Sequence, residues 1–452
     1  MKTNKRFLAI AMIAVLAFGA SIPYVLQAAE WEIRVTLNGE DINFGNDNPT
    51  LVDGITFVPH WFIAELVGAD VTLHEAYMLP LRSTMENLGH IIQWNSSTRT
   101  ANIRLVLDDI ETTNNTETNA MIIVGEGTMW PLDGVITLPA SASVTNPVPA
   151  IVHVHGSGPS NMEGAFGLHG YIARHLADYG IASIRHDKRT YAHGEALMAH
   201  YGQYFTMYEE AIADALLAAD ILRNHPYVDS GRVYLLGHSQ GVTMALRIHL
   251  ADRGDFAGLI LMAGTPRGLG EVFAYQISAD FESFRRDTMP LLSEDDPIMV
   301  AFNEQYALFA PVLSGLKEFL PSLPYLTREE ALTTPSPAEA FGLTTYFLWD
   351  AAQHPLGRDA ALVTVPILVQ HAGSDFQVTS ATDWPLMQAI FGNMPNATML
   401  YYAGLNHAFM PTDATSFNQH GQELGAMLMG LIPQTPFYSA AFTDIANWIL
   451  SN

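Results

Sequence analysis

Apolar residues follow two different patterns along this chain. Near the start they come in short alternating runs. Ile33 to Leu37 alternates with strand period and ends at the turn pair Asn38-Gly39. Two longer segments, Thr56–Leu73 and Tyr77–Trp94, then resemble each other: Pro59 aligns with Pro80, Glu65 with Glu86, and Gly68 with Gly89. Each predicts a strand ending at a proline, a short amphipathic helix opened by that proline, and a glycine stop. Ala101 to Leu107 alternates again and closes the unit. Further along, the runs become continuously apolar and alternate with helical stretches. Strands are predicted at Val148–Val154, Ile181–Ile184, Arg232–Leu236, Phe256–Met262, Val365–Gln370 and Thr398–Tyr402. Helices are predicted at Leu168–Tyr179 (stopped by Gly180), Tyr208–Asn224, Val242–Leu250 and Ala440–Leu450. Such alternation predicts an α/β fold, a doubly wound, mostly parallel sheet covered on both faces.

The ends and junctions complete the domain plan. Lys2, Lys5 and Arg6 precede an apolar run from Phe7 to Ala20, with small residues at Ala28 and Ala29. This predicts a signal peptide over 1–29; Phe7–Leu26 is also long enough for an uncleaved anchor. A small α+β domain over 30–110 follows, then a polar linker over 111–119 and the large domain over 120–452. Residues 267–362 exceed an ordinary crossover and predict a helical cap insertion, with helical patches at Pro297–Phe309 and Val312–Phe319. Its apolar side chains, Tyr346, Phe347 and Trp349 among them, are expected to line an acyl or aromatic pocket.

Composition narrows the function. The 452 residues carry 21 basic and 46 acidic side chains, a net charge of −25, which repels nucleic acid. Cysteine is absent, excluding disulfides, thiolate metal sites and a cysteine nucleophile. His60, His74 and His90 show no metal-ligand spacing. The expected location is extracellular or at the cell envelope.

The chemistry concentrates in Gly237-His238-Ser239-Gln240-Gly241, preceded by a strand pattern and followed by a helical one. A nucleophile on a sharp strand-to-helix turn has a strained backbone, and Gly237 and Gly241 leave room for it. An acid and a base are then required in the order Ser…Asp…His. Asp375 follows the strand at 365–370 and His407 follows the strand at 398–402, so both emerge on the rim that carries Ser239. Asp383 and Asp350 are weaker rivals for the acid. His238 is not the base, because neighbouring side chains of a strand point apart. His155-Gly156-Ser157-Gly158-Pro159 follows an early strand, and the N–H groups of Ser157 (or Gly158) and Gln240 are the candidate oxyanion donors.

Two resemblances follow from these motifs. The LNG, LPLR…LG and QWN…T…ANI segments resemble the copper amine oxidase N-terminal-like domain of exported bacterial proteins. This implies cell-envelope contact or a spacer rather than copper binding. HGSGP, RHDKR, GHSQG, GSDFQV and YAGLNHAF resemble α/β-hydrolases, in the secreted esterase, dienelactone-hydrolase and prolyl-oligopeptidase-like group. Thr190 and Val242 replace glycines of that pattern. The resemblance implies a secreted serine carboxylesterase acting through Ser239, Asp375 and His407, with no cofactor. Two readings stand beside it: an exopeptidase or amidase on the same triad, and an inert envelope-binding protein.

Overall fold

The structure, a computed structural model, describes residues 118–452 except 253–254, 294–295 and 429–434, together with strand segments between residues 34 and 104. The chain divides into two compact units, one built mainly from 115–424 and 435–452, the other from 22–114. In the smaller unit, Arg34–Leu37, Glu40–Asp41, Ile91–Asn95 and Thr100–Arg104 form one sheet, and Thr50–Val52, Ile55–Pro59 and Met78–Pro80 form another. The signal segment, the helices expected after Pro59 and Pro80, and the histidines at 60, 74 and 90 lie outside the described residues.

The larger unit is an α/β sandwich. Its sheet has eight strands: β1 (Thr118–Val124), β2 (Leu132–Leu138), β3 (Val148–Val154), β4 (Ala182–His186), β5 (Val228–His238), β6 (Gly258–Met262), β7 (Ile367–Ala372) and β8 (Ala397–Tyr402). Their order is β8-β7-β6-β5-β3-β4-β2-β1, and every pair from β4 to β8 is parallel. β2 joins β4 and β1 antiparallel. Strand β3 is buried at all seven positions, as a strand covered on both faces requires. Ala150, Val152 and Val154 enter the core on one face and Ile151 the core on the other.

Helices cover both faces. α1 (Leu168–Ala177) buries Leu168, Ile172 and Leu176 on one stripe, and Gly180, at φ 79°, follows its end. The helix expected over 208–224 opens with a π-helical turn at Tyr208–Ile212 before α2 (Ala213–Arg223). α3 (Gly241–Ala251) leaves directly from β5. The insertion supplies α4 (Leu269–Asp287), α5 (Pro297–Phe319) and α6 (Thr345–Ala352). Where the sequence predicts two helical patches, α5 is one helix of 23 residues running through Pro311. A proline costs a helix roughly 3 kcal/mol; buried Phe302 and Phe309 before it and Leu316 after it hold both halves in place. α7 (Asp383–Phe391), α8 (Phe417–Leu428) and α9 (Ser439–Ser451) follow the insertion.

Candidate active site

Ser239 sits between β5 and α3 at φ 58°, a conformation L-residues rarely hold. Its N–H donates to the Met262 carbonyl at 2.9 Å, tying the turn to β6. The flanking glycines are obligatory. A Cβ on Gly237 would lie 2.2 Å from the Gly241 carbonyl oxygen, and one on Gly241 would lie 2.4 Å from that of Val154. Val242, which replaces a glycine of the family pattern, fits because it packs against Gly264, where no Cβ could be accommodated.

Asp375 and His407 meet as their strand-end positions predict. His407 Nδ1 donates to Asp375 Oδ2 at 2.6 Å, and Asp375 Oδ1 accepts from the N–H groups of Gln377 (2.8 Å) and Val378 (2.9 Å). Burial alone would push the Asp375 carboxyl up. The His407 imidazole and the Val378 N–H outweigh it, so the group lies below the ordinary carboxylate range. His407 and Ser239 border one small cavity. No hydrogen bond joins the hydroxyl to the imidazole in this arrangement; such bonds often tighten only around substrate. The rival acids are committed elsewhere: Asp383 forms a bidentate pair with Arg267, and Asp350 pairs with Arg247.

His238 is committed elsewhere: its Nε2 donates to the His407 backbone carbonyl at 2.8 Å. Burial lowers its pKa to about 3, so it stays neutral. It continues a buried histidine cluster. His153 and His169 share a hydrogen bond at 2.9 Å, and the His155 and His169 rings lie 4.4 Å apart.

The loop carrying Ser157 and Gly158 approaches the serine closely: a Cβ on Gly156 would lie 3.0 Å from that of Ser239. Among the described residues, neither the Ser157 nor the Gln240 N–H is bonded to another backbone group outside helices and strands. The segment 186–188 holds this loop from behind. His155 Nε2 donates to the His186 carbonyl at 2.9 Å, and the Met162 N–H donates to Asp187 Oδ1 at 2.7 Å. The Lys188 N–H donates to the Ser160 carbonyl at 3.0 Å, and Lys188 Nζ donates to the Gly156 carbonyl at 2.8 Å. Lys188 also pairs with Glu210 at 2.6 Å, both side chains buried. In the sequence this role is hidden, because a run of charges ordinarily marks a solvated face; only its place after a buried strand hints otherwise.

A large cavity of about 1810 Å³ opens beside Ser239. It is bordered by Ser157, Gly158 and Gln240, and by α4, α5 and α6 of the insertion. Of the three aromatic residues expected to line it, Phe347 does. Tyr346 and Trp349 instead stack on each other at 5.5 Å, and Trp349 Nε1 donates to the Leu326 carbonyl.

A strained serine on a strand–helix turn, with an aspartate–histidine pair at neighbouring strand ends, defines the class. Residues 151–419 match the alpha/beta hydrolase family, and the chain belongs to it. Over 288 residues it is 28% identical to Esterase EstD of Thermotoga maritima, covering 63% of this chain and about 60% of EstD's length. Among solved structures it is similar to Est1E from Butyrivibrio proteoclasticus, with 14% identity and a TM-score of 0.39 over 70% of this chain and 99% of that one. It is also similar to Porphyromonas gingivalis dipeptidyl peptidase 4, with 12% identity and a TM-score of 0.43 over 90% of this chain and 41% of that one.

Proposed function

We propose that this protein is an exported serine carboxylic-ester hydrolase. The observation that carries the reading is Ser239 at φ 58°, sharing a cavity with the His407 imidazole, whose other nitrogen is 2.6 Å from Asp375. His407 takes the hydroxyl proton as Ser239 attacks the ester carbonyl. Asp375 holds the imidazole in the tautomer with Nε2 free and stabilises the imidazolium that forms. The N–H groups of Ser157 and Gln240 receive the developing oxyanion. His407 then protonates the departing alcohol, and afterwards activates the water that releases the acid from the acyl-enzyme. The likeness to EstD over 288 residues supports an ester as the scissile bond. The basic and apolar N-terminal segment supports export.

Ser239→Ala should lower p-nitrophenyl ester turnover by about 10⁴-fold or more, with the circular dichroism spectrum and Tm unchanged. Near wild-type turnover in that variant refutes the assignment. Parallel assays on aminoacyl anilides separate an esterase from a peptidase: faster anilide than ester turnover would reassign the bond.

A further inference from the structure

The large cavity is lopsided about Ser239. Ser239, Gln240, Ser157 and Gly158 border it, and His407 does not; the imidazole borders the small cavity with Gln377 and His169. In acyl transfer the leaving alcohol oxygen must lie against the imidazole that protonates it. The small cavity, of about 20 Å³, has room for no more than a water, so the bulk of an ester attacked by Ser239 lies in the large cavity, whose apolar wall suits an aliphatic acyl chain. Its walls include Phe273, Ile277, Leu313, Leu320, Phe341 and Leu348, all from the insertion. The charged side chains on its border are already committed or exposed. Arg267 is held by Asp383, Glu271 accepts from the Gly268 N–H, Glu210 holds Lys188, and Lys317 and Glu339 are exposed. Among the described residues, no buried unpaired cation awaits an acidic acyl group. At about 1810 Å³ the space exceeds the roughly 300–1,000 Å³ of an ordinary small-molecule pocket. An acetyl group would leave nearly all of that apolar wall against water.

We propose that the natural substrates are esters of medium-to-long aliphatic acids, whose chain runs from Ser239 under the insertion. This rests on Ser239 being the acylated nucleophile. Each methylene transferred from water to the wall should favour binding by about fourfold until the wall ends. The test is a p-nitrophenyl ester series from acetate to palmitate, with a feruloyl ester beside it, on wild type, Ser239→Ala and Leu313→Trp. The expected kcat/KM peaks at eight to twelve carbons, at least about tenfold above acetate. Leu313→Trp should move the peak to shorter chains than in wild type. If that variant does not fold, Ala351→Phe, at another wall position, gives the same readout. A steady decline from acetate, a feruloyl ester preferred over every aliphatic one, or an unchanged profile in the filled variants overturns the proposal. Activity surviving Ser239→Ala would instead overturn the serine mechanism, so the two failures are distinguishable.

A separate observation concerns Lys188. A peptide unit is rigid and planar, so fixing the Gly156 carbonyl also fixes the direction of the Ser157 N–H on the opposite side of that bond. Lys188 Nζ supplies that constraint at 2.8 Å from behind the loop, itself anchored by Glu210. We infer that Lys188 is a positioning residue for the oxyanion donor. Lys188→Met should lower kcat by about 10- to 100-fold with KM within about threefold. Affinity for an alkyl trifluoromethyl ketone, which forms the tetrahedral adduct, should fall in parallel. The double variant Lys188→Met/Glu210→Gln removes both charges and gives the same readout if the single variant is unstable. An unchanged kcat, or analogue affinity per folded molecule equal to wild type, overturns the inference.

Discussion

The loop 155–162 and the helical insertion both border the cavity beside Ser239, yet they are held by opposite means. The loop is fixed by directional contacts: the His186 carbonyl, the Asp187 carboxylate and both the backbone and the ammonium of Lys188 bond to it. Inside the insertion the contacts are largely aromatic, although ion pairs such as Asp350 with Arg247 tie it to the body. Phe284 stacks on Phe302 at 4.5 Å and Phe309 on Phe341 at 4.8 Å. A hydrogen bond weakens steeply with distance and angle, whereas apolar packing tolerates volume-conserving exchange. The rim should therefore govern the chemical step, and the insertion should govern which ester is accepted.

The sharpest way to break this contrast is at the rim. Asp375→Asn should lower kcat by about 10³–10⁴-fold in steady-state kinetics, because the imidazole loses the partner that selects its tautomer. A loss under tenfold would mean that the pair does not serve catalysis. Gly237→Ala forces a Cβ against the backbone of Gly241. It should cost about 3 kcal/mol or more in urea unfolding, and a neutral result would contradict the tight turn.

Acid should act on the same region. Burial holds His153 and His238 at about 3, against an ordinary 6.5, and holds His155 and His169 well below it. Between those limits the unfolded chain binds protons that the folded one refuses. Stability is therefore full above pH 6.5 and falls as the pH drops below it. Urea melts at pH 7.5, 6 and 5 should show that slope; a flat profile would mean that the cluster takes up protons without unfolding.

Much of this was legible in the sequence, and what was not has physical reasons. Strands β3, β6, β7 and the end of β5 announce themselves as buried apolar runs, and the elbow, Asp375 and His407 follow from chain order and strand ends. The antiparallel strands β1 and β2 are harder to see. β1 is apolar from Ala120 to Val124 yet leaves Met121 and Ile123 exposed, so its composition does not tell the buried face from the open one. α5 is masked by Pro311, a local signal that its packing on α4 overrides. The support of the oxyanion loop is illegible because it depends on Lys188 meeting Glu210, which a π-helical turn carries to the same place. No local pattern encodes a pairing between distant buried charges.

Smaller effects belong to the insertion and the surface. Phe309→Leu should cost more than a conservative swap, about 1–2 kcal/mol, and alter chain-length preference with kcat on acetate nearly unchanged. A drop in acetate kcat comparable to that of a rim variant would erase the distinction between the two regions. Arg286→Ala removes an exposed ion pair with Asp287 and should change stability by less than about 0.5 kcal/mol in the same melts.

The most direct test of the central claim is covalent. After incubation with an alkyl fluorophosphonate, intact-mass and peptide mapping should find one adduct, on the peptide holding Ser239, formed far more slowly in His407→Ala. An unmodified Ser239 in folded wild-type protein, or equal labelling without the imidazole, would contradict an activated serine at this turn.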